Sequence, residues 1–322
     1  PEAVAQQFNA LLADPQALIF WHTIFMVIAL TIVGRGLKEG IEKVVTILMP
    51  ALFVMLLIMI GYAAVEGDFD AALNFLFSAD FSKIDGGTIL VAIGQAFFSI
   101  SVAMGLLMTY GSYVPKNVSL TKSALIIAGA DTLVAILAGL MIFPLVFGND
   151  LDRGSGPGRI FRTLPTAFAE MPGGQVFGVV FFILLAFAAV TSLIAIIEPI
   201  VRFAEGKWNM PRRNGVLVFG SLAWAIGLLT VFSFNIWSDV HLLGQFKVFE
   251  GKTVFDLIDY ATANLMMPLG GILMALFVGW RIQPSALAED LSFGSNALFT
   301  VWLWMIRVVV PLAILWVLYS SL

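Results

Sequence analysis

The stretch Ala92–Val114 reads AIGQAFFSISVAMGLLMTYGSYV. About 20 mostly apolar residues cross a hydrocarbon core, so this segment is long enough to span a bilayer. It is also poorly made for that setting. Gln95, Ser99, Ser101, Thr109, Tyr110, Ser112 and Tyr113 carry an amide and hydroxyls to lipid depth, and Ser101-Val-Ala-Met-Gly105 puts a serine and small residues ahead of a mid-span glycine. Two readings fit. In one, the helix is continuous and its small polar residues pack against a neighbouring helix. In the other, it loosens near Ser101 and its freed backbone groups face a protein-lined or watery cavity, because hydrocarbon offers them no partner. Transporters place substrate and ion sites at such breaks.

The rest of the chain supplies the same kind of segment. Of 322 residues, 60% are apolar and 12% charged, with mean hydropathy +0.98. That excludes an ordinary soluble domain and points to an all-α polytopic membrane protein, a single transmembrane domain over residues 1–322. Eight spans are predicted: Ala17–Val33, Val44–Val65, Ile89–Val114, Ala124–Phe147, Val176–Phe203, Val216–Phe234, Val254–Gly279 and Ala297–Tyr319. The opening residues, PEAVAQQFNALLADPQ, read as a short amphipathic loop helix, and a chain that starts at Pro1 is expected to continue upstream.

Basic residues orient the stack. With the first span entering from outside, Arg35, Lys38, Lys43, Lys116, Lys122, Arg202, Lys207, Arg212, Arg213 and Arg281 fall inside. Lys83, Arg153, Arg159, Arg162, Lys247 and Lys252 fall outside. Both termini of this chain are therefore expected outside the membrane. The long outer segment from Gly148 to Gln175 includes a part with helical spacing, Arg159–Glu170, read as a re-entrant or lid helix against the alternative of a plain surface loop.

Function classes narrow quickly. No cysteine is present, which excludes a disulfide framework, a thiolate nucleophile or a cysteine metal site. His22 and His241 are the only histidines, so no histidine-rich metal centre is expected. Gly-x-Ser-x-Gly, His-Glu-x-x-His, a phosphate-cradling glycine loop and paired catalytic carboxylates are missing, so an enzyme is not indicated. No basic, aromatic-interleaved patch suggests nucleic acid.

What remains is polar chemistry at membrane depth. Asp131 and Glu198 sit inside spans, where a carboxylate costs several kcal/mol unless it finds a partner, water or a cation. Asp131, in Ala128-Gly-Ala-Asp-Thr-Leu, is read as functional, with a structural hydrogen-bond anchor as the alternative. Glu198 precedes Pro199, so satisfying groups freed by a kink competes with any transport role. Arg307 is expected to snorkel or pair. Thr191-Ser192 either bond back to the preceding turn or, with a main-chain carbonyl, offer hard oxygens to Na⁺. Asp256 and Asp259 share a helix face near an N-terminus, as dipole-favoured acids or as a gate carboxylate awaiting a base.

The order of motifs resembles the neurotransmitter:sodium symporter family, in particular its bacterial amino-acid symporters. The matching stretches are Arg35-Gly-Leu-Lys-Glu-Gly-Ile-Glu-Lys43 with Met49-Pro50, Leu73–Phe81, Gly94-Gln-Ala-Phe-Phe-Ser-Ile-Ser101 and Thr109-Tyr-Gly-Ser-Tyr113. Ala130-Asp-Thr132 with Ala138-Gly139, Thr163-Leu-Pro165, Leu185–Pro199 and Pro268-Leu-Gly-Gly271 with Gly279-Trp280 complete the series. The resemblance implies a leucine-transporter-like inverted-repeat fold, the broken-helix architecture whose ion and substrate sites lie at the breaks. It also implies that the eight spans correspond to family helices four to eleven, with three further helices upstream.

Site residues follow from the same resemblance. Phe98 would cap the substrate, Ser101 and Met104 would line its side chain, and Leu193 and Ile196 would form the opposite wall. Ser99 and Asp131 would serve one sodium, and Ala188, Thr191 and Ser192 a second, each site being completed upstream. Asp259 would be an outer-gate acid and Tyr113 an inner-gate tyrosine. Three positions depart from the family pattern: Ala103 replaces a glycine at the break, Gly206 beside Glu205 stands where an inner-gate aspartate is common, and Ala135 replaces a chloride-site serine or an acid. The implied activity is sodium-coupled symport of an amino acid or similar zwitterion by alternating access in a bacterial inner membrane, compatible with a homodimer. The rivals are a proton-coupled solute transporter of similar fold and, more distantly, a non-transporting scaffold or intramembrane enzyme.

Overall fold

The computed structural model describes residues 2–115, 117–149, 157–291 and 296–321, and every regular element among them is helical. Helix α1 spans Glu2–Ala13. Asp14 then accepts the N–H groups of Gln16 and Ala17 at 2.9 and 3.1 Å, and with Pro15 in the first turn it starts α2, Pro15–Gly34. A π-helical turn, Leu37–Glu42, leads into α3, Lys43–Glu66, and Asp68 caps α4, Phe69–Phe77.

The predicted third span is where the structure departs from a simple stack. Asp85 and Thr88 cap each other reciprocally to start α5, Gly86–Ser99. The Thr88 N–H and hydroxyl hold the Asp85 carboxyl below the usual carboxylate range. A 3₁₀ turn, Val102–Met104, follows, and the helix resumes only as α6, Leu106–Gly111. The continuous-helix reading is therefore wrong: the segment is two short helices around a break.

The chain continues through α7 (Leu120–Gly148), α8 (Pro157–Glu170), α9 (Gly174–Trp208) and α10 (Arg212–Phe232). Arg159–Glu170 thus forms a helix rather than a plain loop, while residues 150–156 of the segment expected outside, Arg153 among them, lie outside the described residues, as does Lys116. The seventh predicted span is α11 (Val254–Tyr260), a π turn at Ala261–Met266, and α12 (Met267–Leu276), closed by a second π turn at Phe277–Arg281. The first widening runs into Pro268, whose ring has no N–H to give, so the ladder shifts ahead of it. Helix α13 spans Pro284–Leu291. The last predicted span is α14 (Asn296–Trp304), a π turn at Met305–Val309, and α15 (Val310–Ser321). Seven helices among the described residues are long and apolar enough to cross a membrane, and the broken segment accounts for the eighth predicted crossing.

Two compact units emerge, residues 1–79 with 133–242 and residues 80–132 with 243–322. The first is organised on α9, which packs against α2, α3, α8 and α10. Its 35 residues rise about 50 Å, more than a hydrocarbon core of about 30 Å, so its charged last turns extend beyond lipid depth. One of its cores joins Leu56 and Met59 of α3, Leu145 of α7, Leu164 and Phe168 of α8, and Phe181 of α9. The other joins Ala29 and Val33 of α2 to Ile194, Ile197 and Val201 of α9 and Val216 of α10. In the second unit α12 packs against α15 and against the 3₁₀ turn of the broken segment, and α15 also packs against α5.

Candidate functional site

The break is made by backbone conformation. Ser101 has φ 54° and ψ 36°, and Gly105 has φ 74° and ψ 3°, so left-handed residues bracket the 3₁₀ turn. Glycine adopts that region freely, whereas for serine it costs about 1–2 kcal/mol and persists only where the surroundings hold it. The Ser101 hydroxyl donates to the Phe98 carbonyl at 3.2 Å, and the Thr109 hydroxyl donates to the Gly105 carbonyl at 3.0 Å. Each carbonyl also accepts a backbone N–H, from Ser101 at 3.0 Å and from Thr109 at 3.0 Å, so the hydroxyls add a second bond on either side of the break.

Room for this turn comes from Pro268-Leu-Gly-Gly271 in α12. A Cβ on Gly270 would sit 2.8 Å from the Ala103 carbonyl oxygen, and one on Gly271 would collide with the Phe97 ring. Two glycines therefore let α12 cradle α5 and the turn together. The departure at Ala103 is accommodated the same way: its methyl fits because the facing residue has none. Phe97 and Phe98 also line a small apolar pocket with Ile93, Ala263, Met267 and Ile314.

The break carries an acid. Ser99, the last residue of α5, donates its hydroxyl to Asp131 of α7 at 2.7 Å. Two residues 32 apart in sequence thus present a hydroxyl and a carboxylate side by side, a hard-oxygen pair suited to a small monovalent cation or to a ligand amine. Phe98 is 52% exposed beside them, and Ser101 and Met104 stand at the two ends of the turn, Met104 partly exposed.

The second predicted ion site lies in the other unit. The Thr191 hydroxyl donates to the Ala188 carbonyl at 2.9 Å and to the Phe187 carbonyl at 3.0 Å. This is the back-bonding expected of a membrane-helix threonine, and it also brings together two of the three predicted oxygens. Ser192 is exposed one residue on, Leu193 is half-buried, and Ile196 is exposed one turn further along α9.

The residues expected at the gates lie at separate places in the fold. Asp259 is exposed in the last turn of α11. Asp256, paired with it in the sequence reading, turns back instead to form a capping box with Thr253, accepting its N–H and hydroxyl at 2.8 Å. Tyr113 lies just past α6 with its ring edge-on to Tyr110 at 6.5 Å.

Sequence reasoning missed Arg212. It stood among ten inner cations, yet at the first position of α10 it fastens three helices of its unit. Its Nε donates to the Val33 carbonyl at 2.8 Å, closing the end of α2, and its Nη1 and Nη2 grip Glu198 of α9. Glu205, 3.4 Å away, adds a second acid. Glu198 is fully buried. Its carboxylate takes this guanidinium, so the reading that it satisfies backbone groups freed at Pro199 is replaced by an ion pair. The only signal available beforehand was an intramembrane acid with no partner nearby in sequence.

These features define an all-helical integral membrane protein built around a discontinuous helix with an acid at its break. The model of the sodium:neurotransmitter symporter family matches residues 12–322, and the chain belongs to that family of transporters rather than enzymes. It is 33% identical over 312 residues to an uncharacterized sodium-dependent transporter, YhdH, of Bacillus subtilis, covering 96% of this chain and 67% of that protein. It is 32% identical over 311 residues to one of Haemophilus influenzae, covering 96% and 66%. The chain thus spans about two thirds of the length of these relatives. Among solved structures it is similar to the crystal structure of MhsT in complex with L-phenylalanine, a leucine-transporter-type fold, at 37% identity and TM-score 0.84. That match covers 98% of this chain and 70% of the other.

Proposed function

We propose that the protein containing this chain is a sodium-coupled symporter of amino acids or related small zwitterions, working by alternating access in a bacterial inner membrane, with both compact units acting as one transport domain. The observation that carries the reading is the Ser99–Asp131 hydrogen bond at the broken helix. It puts a carboxylate and a hydroxyl where backbone groups are also freed from the helix ladder, so charge and hard oxygens converge at one point. The relatives named as sodium-dependent transporters support the ion. The complex of MhsT with L-phenylalanine supports an amino-acid substrate, as does a mouse neutral and basic amino acid transporter 28% identical over 77% of this chain.

In this reading Ser99 and Asp131 bind one sodium, and the Ala188 carbonyl with the Thr191 and Ser192 hydroxyls binds a second. Phe98 covers the substrate, Ser101 and Met104 meet its side chain, and Leu193 and Ile196 also serve the substrate. Asp259 and Tyr113 belong to the outer and inner gates. The test is equilibrium binding of a panel of labelled amino acids to the full-length protein at fixed pH, titrated with sodium against potassium. Binding is expected to rise with sodium, and Ser99→Ala with Asp131→Asn to raise the sodium concentration required. Binding indifferent to sodium would refute the reading, and a dependence on pH in its place would favour the proton-coupled rival.

A further inference from the structure

Arg307 lies within the last predicted span, and its surroundings are unusual. Its Nε donates to the Gly279 carbonyl at 2.6 Å. That carbonyl lies in the last turn before the helix ends at Arg281, where no donor further along the helix can reach it. The bond fixes the guanidinium at the level of that helix end, on the membrane face marked by Arg281. Gly279 permits the approach: a Cβ there would lie 2.9 Å from Arg307 Cγ.

Only one of the five guanidinium donors is used by this bond. Among the described residues no acid pairs with Arg307, and its Nη groups have no hydrogen-bond acceptor. What surrounds them is aromatic: the guanidinium carbon lies 5.1 Å from the Trp280 ring and 6.0 Å from the Trp304 ring. Both indoles are more than half exposed. A cation held at the edge of a bilayer without an anion is costly, and exposed tryptophans favour the headgroup level. The guanidinium fork matches the geometry of a phosphodiester, with two parallel N–H···O bonds available.

We propose that Arg307, flanked by Trp280 and Trp304, binds the phosphate of an anionic phospholipid headgroup. The indoles lie along the glycerol and upper acyl region, and Arg281, exposed two residues beyond Gly279, adds to the positive field. A zwitterionic lipid offers the same phosphate but brings a second cation into that field, so anionic lipid is preferred. This site is independent of the transport reading.

The test is native mass spectrometry with thermal-shift measurements on the purified full-length protein, titrated with phosphatidylglycerol, phosphatidylcholine or inorganic phosphate. The unmutated protein is expected to retain phosphatidylglycerol roughly fivefold more tightly than phosphatidylcholine, since both offer the phosphate and only the choline cation, worth about 1 kcal/mol near a membrane surface, sets them apart. Arg307→Gln should remove that preference, and Arg307→Lys should weaken it while keeping the charge. The comparison of lipids on the unmutated protein needs no variant to fold. Equal retention of the two lipids, stabilisation by inorganic phosphate as strong as by phosphatidylglycerol, or an unchanged preference in the variants would each overturn the proposal.

Discussion

Replacing Glu198 by Gln keeps the side chain's shape and removes its charge, leaving Arg212 in a nearly dry site without its main partner. Stripping one member from a buried ion pair costs about 3–5 kcal/mol, because the remaining charge is uncompensated. Here the cost should be smaller. Arg212 keeps 18% of its side-chain surface exposed, and Glu205 remains 3.4 Å away. A loss of about 2–3 kcal/mol is expected on that scale. Glu205→Gln should cost at most about 1 kcal/mol, since that acid is 22% exposed and its attraction is screened. Arg212→Gln should cost as much as Glu198→Gln or more, because it also removes one of the bonds to the Val33 carbonyl, leaving that of the Gly36 N–H. The assay is reversible unfolding of the full-length protein in mixed micelles for the two single variants and the double variant. Glu198→Gln/Arg212→Gln should cost clearly less than the sum of the singles. Additive effects, or a neutral Glu198→Gln, would show that the pair does not hold these three helices together.

Three further sets of substitutions address the site. Gly271→Ala pushes against Phe97 and Gly270→Ala against the Ala103 backbone. Each is expected to lower substrate affinity at least tenfold with modest change in expression, whereas Gly61→Ala, which meets nothing, should leave affinity unchanged. Thr191→Val with Ser192→Ala removes two hydroxyls at nearly constant volume and should sharply raise the sodium concentration that half-saturates uptake. An unchanged sodium curve would leave Thr191 with its back-bonding role alone. Asp131→Asn keeps an oxygen beside Ser99 but removes the charge. If Asp131 does at the break what bound chloride does elsewhere, uptake by the unmutated protein should be insensitive to replacing chloride with gluconate, and the variant should lose sodium affinity. Strict chloride dependence of the unmutated protein would contradict this.

Much of the helical stack was legible because length and apolarity dictate it: a run of 20 apolar residues has few alternatives. The break was half legible. Ser101 and Gly105 marked its place, but nothing local chose between a packed helix and an opened one. That choice rests on Gly270 and Gly271, about 170 residues downstream, which give the turn its room. The Ser99–Asp131 contact was reachable only through the family resemblance, since neither residue signals the other across 32 positions. Arg212 was invisible for the same reason. Its partners lie on α2 and α9, so a loop cation by composition becomes a three-helix tie only in the folded chain. Asp256 took the plainer of its two readings, an acid at a helix start: Thr253 three residues earlier already offered it a capping box.

Sodium driving transport through the broken helix is the central claim, and a gradient measurement tests it most directly. The full-length protein in liposomes, loaded with potassium and given an inward sodium gradient at equal pH on both sides, should accumulate a labelled amino acid. Accumulation should fall away in Asp131→Asn. Uptake that ignores the sodium gradient, or that follows a proton gradient and leaves Asp131→Asn unimpaired, would contradict it.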